Sequence, residues 1–259
     1  MQKSFAPYRD ELFMSTKAGH DMWPGPYGNW GSRKHLISGL EQSLRRMRLE
    51  YVDVFYSHRY DPETPLEETL QALVDIVRQG KALYVGLSKY PLEQAEQACR
   101  YLAAEHVPCL AYQGRYSLFC RDPEDAGILS GVRRRGAGFV AFSPLAQGLL
   151  TDRYLDGIAA GSRIARGGFL KKEALTPETL ERVRRLNDLA ARRGQTLAEM
   201  ALAWLLKDDA VTSVIIGASS VEQIAANLKA LSGTSFSDEE LAEIERITGR
   251  APAAGRCGE

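Results

Sequence analysis

The sequence lacks net charge and lacks any long apolar run, and each absence excludes a class of protein. Its 33 basic residues balance 33 acidic ones, so no surface for nucleic acid or anionic membranes is indicated. No run approaches the roughly 18 apolar residues of a membrane-spanning helix, and the first ten residues lack the apolar stretch of a secretory signal. We therefore expect a cytoplasmic protein that binds neither nucleic acid nor membranes.

Cysteine is also scarce, and its spacing matches neither a metal site nor a disulfide framework. The four cysteines are Cys99, Cys109, Cys120 and Cys257. None forms a C-x2-C pair, so we expect no metal ligand set and predict reduced thiols. At 259 residues the chain is long enough for one large domain, and we predict a single domain over residues 1–259.

A third absence concerns the Gly-rich fingerprint of open dinucleotide-binding sheets, because no G-x-G-x-x-G follows any predicted strand. Six predicted strands alternate with helices, which indicates an α/β fold with a parallel sheet. Two architectures remain, the open doubly wound sheet and the closed barrel. The strands end in polar residues: Lys17, His58, Ser88, Gln113, Ser143 and Ser219. Reactive groups at successive strand ends are typical of an eight-stranded barrel.

One stretch, Tyr51–Arg59, combines a predicted strand with a reactive residue. Its β-branched and aromatic residues favour extended structure, and alternation places Val54, Tyr56 and His58 on one face. The carboxyl ends of parallel strands form the reactive face of α/β proteins. His58 is therefore either a substrate-facing group or a structural histidine beside a loop, and the strand alone does not decide between them.

Several motifs together resemble those of the aldo-keto reductase family, from about Tyr8 to about Ile247. They are Gly31-Ser-Arg-Lys34, Leu40-x-x-Ser-Leu-x-Arg-Met, Tyr51-Val-Asp-Val-Phe-Tyr-Ser-His58, Gly80-Lys-Ala-Leu-Tyr-Val-Gly-Leu-Ser88, Phe142-Ser-Pro-Leu-Ala-Gln-Gly-Leu-Leu150 and Ile216-Gly-Ala-Ser219. The branch most similar to the chain is bacterial, reduces glyceraldehyde 3-phosphate and methylglyoxal, and is related to potassium-channel β-subunits.

The resemblance implies a (β/α)8 TIM barrel that binds NADPH and passes a hydride to an aldehyde or ketone carbon. It implies that Lys17 is the lysine that lowers the pKa of an acid tyrosine, and that His58 orients the carbonyl. An ammonium beside a phenol favours the phenolate, which brings a general acid closer to operating pH.

The resemblance also implies a cofactor path along the strand ends. Ser88 and Gln113 would hold the nicotinamide carboxamide with Tyr116 near the ring, although Lys89 departs from the family's small polar residue. The implied pyrophosphate loop comprises Ser143, Pro144, Leu145, Gln147 and Gly148, for which a plain proline turn is the alternative. Arg153 and Arg163 would lie on the phosphate path. Gly217, Ser219, Gln223 and Asn227 would bind the 2′-phosphate and adenine, for which an ordinary helix cap is the alternative.

A loop of Gly, Pro and aromatic residues follows the first predicted strand. From its position and composition we predict that it shapes the substrate mouth. Its candidate substrate residues are Trp23, Tyr27 and Trp30.

One departure from the family pattern affects the predicted activity. The family's aspartate and acid tyrosine lie upstream of the strand containing Lys17, and neither is in this sequence. We expect a truncated barrel that lacks its first two βα units, about 60 residues, and impaired turnover. Its open edges would favour pairing with another chain, so a homo-oligomer is one expected state. The leading prediction is NADPH-dependent reduction of small aldehydes such as glyceraldehyde 3-phosphate or methylglyoxal. The alternative is an inactive NADPH-binding protein resembling a redox-sensing regulatory subunit.

Overall fold

The computed structural model describes residues 5–155, 157–158 and 171–249. These residues divide into two compact units. The first unit contains residues 5–114 and 126–139, and the second contains residues 115–125 and the described residues from 140 onward. That the whole chain forms one domain remains a prediction.

Four strands and four α-helices form the first unit. The strands are β1 (Ser15–Ala18), β2 (Val52–Ser57), β3 (Ala82–Ser88) and β4 (Cys109–Arg115). The helices are α1 (Arg33–Met47), α2 (Leu66–Arg78), α3 (Leu92–Ala104) and α5 (Ile128–Arg134), and a 3-10 helix spans Ala6–Glu11. The strands pair in parallel, β1 with β2, β2 with β3 and β3 with β4. Each is followed by a helix that returns the chain to the start of the next strand.

The register of these strands decides which side chains share a face. Lys17 is paired with Tyr56, Tyr56 with Gly86, and Ser88 with Gln113. Side chains alternate along a strand, and paired residues on neighbouring strands point to the same side. Lys17, Tyr56, Ser88 and Gln113 therefore lie on one face of the sheet.

The helix boundaries follow from capping residues that the sequence shows. Ser32 caps α1 by accepting a hydrogen bond from the His35 N–H at 3.3 Å. Gly80, at φ 70°, follows the end of α2, where a glycine predicts the end of a helix. The sequence Thr64-Pro65-Leu66-Glu67 predicts that Thr64 caps α2. This prediction is wrong, because the Thr64 hydroxyl donates to Asp61 instead and the helix begins after Pro65 without a side-chain cap.

The second unit holds most of β5 (Gly138–Phe142) and all of β6 (Ser213–Ile215), which pair in parallel. Its α-helices are α4 (Asp122–Asp125), α6 (Pro177–Arg192), α7 (Leu197–Leu205), α8 (Val221–Leu228) and α9 (Asp238–Thr248). Short 3-10 helices span Ala146–Gly148, Asp152–Tyr154, Lys172–Ala174 and Lys229–Ser232. Capping boxes start α7 and α9, formed by Thr196 with Glu199 and by Ser237 with Glu240. Helix α7 is almost entirely buried and supplies much of this unit's core.

The predicted α/β class is confirmed, with six parallel strands among the described residues, the number expected for a (β/α)8 barrel without two of its units. The thiols Cys99 and Cys109 are free and buried, as predicted. The prediction of reduced thiols is wrong for Cys120, which is disulfide-bonded. Over the described ranges, the helices are too short or too polar to cross a bilayer. The same residues include no His, Cys, Asp and Glu cluster arranged to hold a metal ion.

Candidate active site

The ends of β1, β2, β3 and β4 bring four of the predicted site residues to the same face of the first unit. Lys17 lies one residue before the end of β1, and His58 directly follows β2. Ser88 ends β3 and is paired with Gln113 on β4. His58 lies two residues beyond Tyr56, so strand alternation carries it toward the face that Lys17 shares. The structure therefore brings these four residues to one face, and their role as an active site remains a prediction.

Lys17 makes the one side-chain hydrogen bond that joins two of these predicted residues. Its Nζ donates to Gln113 Oε1 at 2.8 Å, across 96 positions of sequence. Burial lowers the pKa of Lys17 below its ordinary value, because a low-dielectric surrounding disfavours the ammonium. No carboxylate among the described residues forms an ion pair with it. The partner of the Lys17 ammonium is therefore the neutral carboxamide oxygen of Gln113 and not a carboxylate.

Tyr56 is the tyrosine whose ring lies beside Lys17, with the Nζ 5.9 Å from the ring centroid. Its ring packs over Gly86, where a Cβ would lie 2.3 Å from a ring carbon. Burial raises the pKa of Tyr56 to about 12, and a hydrogen bond with Gln113 offsets only part of that effect. Tyr56 is therefore a weaker acid than a free phenol, which fits its deep position in the strand.

His58 is held in its neutral form. Burial is the main cause that lowers its pKa to about 3, and the cationic or titratable neighbours His20, Lys17, Lys89 and Arg59 lower it further. Its ring meets the ring of His20 edge-on with centroids 4.3 Å apart. A neutral imidazole has one N–H donor and one bare nitrogen. At neutral pH His58 can donate a hydrogen bond to a carbonyl oxygen without carrying charge.

The Ser88 hydroxyl is buried and has no hydrogen-bond partner among the described residues, and the residue as a whole is 1% exposed. Buried polar groups are nearly always paired, so an orphaned hydroxyl points to a missing ligand group. A nicotinamide carboxamide offers both a donor and an acceptor, and this fits a hydroxyl beside the Gln113 amide. The chemistry of the residues present therefore suits the predicted cofactor.

The aromatic loop after β1 is fixed by cations and backbone contacts. The Arg59 guanidinium stacks on Trp30 at 3.7 Å and donates to Asn29 Oδ1 at 2.7 Å and to the Gly19 carbonyl at 2.8 Å. Lys34 lies 4.4 Å from the ring centroid of Tyr27. Trp23 packs against the buried ring of His35 at 5.1 Å. Tyr27 and Trp30 are 49% and 39% exposed, and both remain predicted substrate residues.

The predicted pyrophosphate loop lies in the second unit and has an unusual backbone. Ser143, Ala146 and Gln147 all have positive φ, and Gly148 has φ 103°. The Gln147 amide donates to Ser143 Oγ at 3.0 Å, and the Gly148 N–H donates to the Leu145 carbonyl at 2.8 Å. Non-glycine residues rarely adopt such angles, and functional loops are where they concentrate. A plain proline turn does not require these positive φ angles, so the backbone of this loop is more unusual than that alternative.

The other predicted cofactor residues of the second unit lie in separate elements. Tyr116 is buried, and its hydroxyl donates to Glu124 at 2.9 Å. Arg153 is exposed, and Arg163 lies outside the described residues. Helix α8 begins after Ser220, which leaves Gly217 and Ser219 in the turn before it and Gln223 and Asn227 within it. Gln223 Oε1 accepts from both the N–H and the hydroxyl of Ser219, so this turn also has an ordinary structural role.

The sequence did not link His58 with three residues that affect its pKa, namely His20, Arg59 and Lys89; Lys89 was identified only as a departure at the carboxamide contact. Arg59 follows His58 directly and His20 lies just after β1, so proximity to strand ends was an available signal for both. Lys89 directly follows Ser88 and has the left-handed φ of 52°. Its effect on His58 depends on the pairing of β2 with β3, which no local pattern shows.

Comparison with known proteins identifies relatives that match most of this chain. The profile of the "Aldo/keto reductase family" matches residues 1–248. The chain is 52% identical over 250 residues to the L-glyceraldehyde 3-phosphate reductase of Escherichia coli K12, which covers 95% of this chain and 72% of that protein. It is 37% identical over 228 residues to a putative voltage-gated potassium channel subunit beta of Schizosaccharomyces pombe, covering 85% of this chain and 66% of that protein. A probable subunit beta of Oryza sativa is 37% identical over 229 residues, covering 86% and 69%.

Proposed function

We propose that this chain, an oxidoreductase that belongs to the aldo/keto reductase family, reduces small aldehydes such as glyceraldehyde 3-phosphate or methylglyoxal with NADPH. The observation that carries the proposal is the Lys17–Gln113 hydrogen bond of 2.8 Å beside a neutral His58. The substrate in the name of the 52% identical relative, L-glyceraldehyde 3-phosphate, belongs to the proposed class. Cytoplasmic location and homo-oligomer formation stay predictions.

The residues have distinct roles in this proposal. His58 donates its single N–H to the carbonyl oxygen and so polarises the carbonyl carbon. The Lys17 ammonium lies on the same face and stabilises the negative charge that develops on that oxygen. Gln113 accepts from Lys17 and keeps its Nζ aimed along the sheet face. Trp30 and Tyr27 limit the space for the aldehyde and exclude water from it.

Each unit offers candidate residues for the cofactor. In the first unit, the Ser88 hydroxyl, unpaired among the described residues, and the Gln113 amide suit a carboxamide. In the second unit, Gly148 and the positive-φ residues of the loop after β5 would let phosphate oxygens approach the backbone closely. When bound, NADPH supplies the hydride that reduces the carbonyl carbon. Arg153 adds a positive charge, and the positive end of the α8 dipole would attract the 2′-phosphate. The N–H and hydroxyl of Ser219 are bonded to Gln223 Oε1 and would exchange that partner for the phosphate.

A second function is favoured by the state of Tyr56. Its pKa of about 12 makes it a poor proton donor at neutral pH. If no better acid reaches the carbonyl oxygen, the chain binds NADPH but turns over slowly. It would then act as a cofactor-binding regulatory protein, and two of its relatives are named as voltage-gated potassium channel subunits beta.

The test combines cofactor binding with turnover on the same samples. NADPH binding is measured by the change in its fluorescence, and turnover by NADPH oxidation with methylglyoxal and with glyceraldehyde 3-phosphate. Lys17→Met should lower kcat by about 100-fold or more and leave the NADPH dissociation constant within a few-fold. Lys81→Met is the matched control, because Lys81 precedes β3 at its opposite end and pairs with Glu41.

The outcomes separate the two functions. Aldehyde-dependent oxidation that depends on Lys17 supports the reductase. Tight NADPH binding without oxidation of any aldehyde supports the regulatory protein. Absence of NADPH binding contradicts both.

A further inference from the structure

Three cations near His58 have no acidic partner. Arg59 directly follows His58, Lys17 lies on the neighbouring β1, and Lys89 follows β3, where Leu87 is paired with Ser57, the residue before His58. Each of the three cations lowers the pKa of His58. Within the described ranges none of the three forms an ion pair with a carboxylate. Elsewhere in the same structure arginines and lysines pair with acids repeatedly, as Arg33 does with Asp75 and Lys81 with Glu41. The strand ends around His58 therefore carry unbalanced positive charge.

Two of these cations already make side-chain hydrogen bonds within the protein. Lys17 donates to Gln113, and Arg59 holds the Gly19 carbonyl and Asn29 while it stacks on Trp30. Lys89 differs, because its side chain is exposed and no hydrogen bond or ion pair joins it to another described residue. It is the cation of the group that remains available to a ligand.

The backbone of Lys89 is nevertheless fixed by its neighbours. Ser88 and Tyr90 on either side are 1% and 2% exposed. The Tyr90 hydroxyl hydrogen-bonds Ser57 Oγ at 2.8 Å, and the Tyr112 hydroxyl donates to the Tyr90 carbonyl at 2.7 Å. The left-handed φ of 52° at Lys89 is therefore imposed by two buried anchors. A flexible side chain on a rigid base next to an active site is suited to capture a charged substrate group.

We propose that Lys89 determines substrate choice by binding the anionic group, a phosphate or a carboxylate, of a short aldehyde whose carbonyl lies at His58. The inference rests on the proposed aldehyde reduction and adds to it the charge of the substrate. Neutral aldehydes gain nothing from Lys89, whereas a phosphorylated three-carbon aldehyde gains one charge-assisted contact and attraction by the surrounding positive field.

The first arm of the test measures selectivity. The ratio of kcat/KM for glyceraldehyde 3-phosphate to that for unphosphorylated glyceraldehyde should fall about 10- to 100-fold in Lys89→Met, the range for loss of one charge-assisted hydrogen bond. Lys89→Arg should restore most of the ratio because it keeps the charge. Lys172→Met, which removes an exposed lysine in the second unit, should leave the ratio unchanged. Raising the ionic strength should lower the ratio in the wild type more than in Lys89→Met.

The second arm needs no turnover. Glycerol 3-phosphate, which has no carbonyl group, should bind the wild-type chain by isothermal titration calorimetry and bind Lys89→Met about 10-fold or more weakly. If no aldehyde is reduced but this difference holds, the proposed function fails and the anion site stands. The inference would be overturned if Lys89→Met left the ratio of the two kcat/KM values unchanged. It would also be overturned if Lys89→Met weakened NADPH binding and left glycerol 3-phosphate binding unaffected.

Discussion

Replacing Asp61 with alanine should loosen the aromatic loop and destabilise the fold by an amount that the structure allows us to estimate. Asp61 is 4% exposed. Its Oδ2 accepts from the Gly31 N–H at 2.9 Å and from the Thr64 hydroxyl at 2.6 Å, and its Oδ1 accepts from the Glu63 N–H at 2.9 Å. Gly31 ends the loop that carries Trp30, so one carboxylate joins that loop to the chain after β2.

The magnitude follows from the three hydrogen bonds. Each bond to a charged acceptor contributes about 1.5–3 kcal/mol, and the contributions are not additive because some donors regain water. We expect Asp61→Ala to lower the free energy of unfolding by about 3–4 kcal/mol. Asp61→Asn keeps one acceptor oxygen and removes the charge, so a loss of about 1–2 kcal/mol is expected. The looser loop should also raise KM for the aldehyde.

Urea unfolding followed by circular dichroism gives the stability of each variant. The matched control is Asp75→Ala, which removes a partly exposed carboxylate bonded to Arg33 and Gln71 and should cost about 1 kcal/mol. If Asp61→Ala lowered the free energy of unfolding no more than Asp75→Ala does, the Asp61 carboxylate would not be what holds this loop in place. An unchanged KM beside a large stability loss would show that the loop does not shape the substrate mouth.

Three further predictions concern the face that carries Lys17. Ser88→Ala removes a hydroxyl that has no partner, so stability should stay the same or rise while NADPH affinity falls about 5- to 10-fold; calorimetry showing unchanged affinity would contradict the cofactor role. Gly86→Ala places a Cβ 2.3 Å from the Tyr56 ring and 2.9 Å from the Ala111 carbonyl, so urea unfolding should show a loss of about 2–4 kcal/mol, and a loss below about 1 kcal/mol would contradict this packing. His58, with a pKa of about 3, should not titrate in NMR spectra between about pH 5 and 8. The unfolded histidine binds a proton near pH 6.5 and the folded one does not. The free energy of unfolding should therefore fall as pH drops from about 6.5 toward 3. A His58 NMR signal that titrates near pH 6.5 would refute the burial argument.

Much of the fold could be predicted because local patterns agree with the final structure. Apolar residues at helical spacing and a Ser32 cap predict a helix before Tyr51, and the structure has α1 at Arg33–Met47. The stretch from Cys109 to Tyr116 predicts a fourth strand, and β4 begins at Cys109. Thr64 is instructive in the opposite sense. Its sequence context predicts a helix cap, but its hydroxyl donates to the nearby buried carboxylate of Asp61 instead.

The candidate site was predictable only in part, because its residue types are local and its geometry is not. Strand ends identify Lys17 and His58, but a slip of one residue between β1 and β2 would turn Lys17 away from Tyr56 and Gln113. That register is set by burial on both faces of β2, where every side chain from Val52 to Ser57 is buried. The positive charge around His58 likewise depends on Lys89 reaching it from the next strand. The chemistry of this face is therefore a property of strand pairing, and substitutions that shift the pairing should impair Lys17 and His58 together.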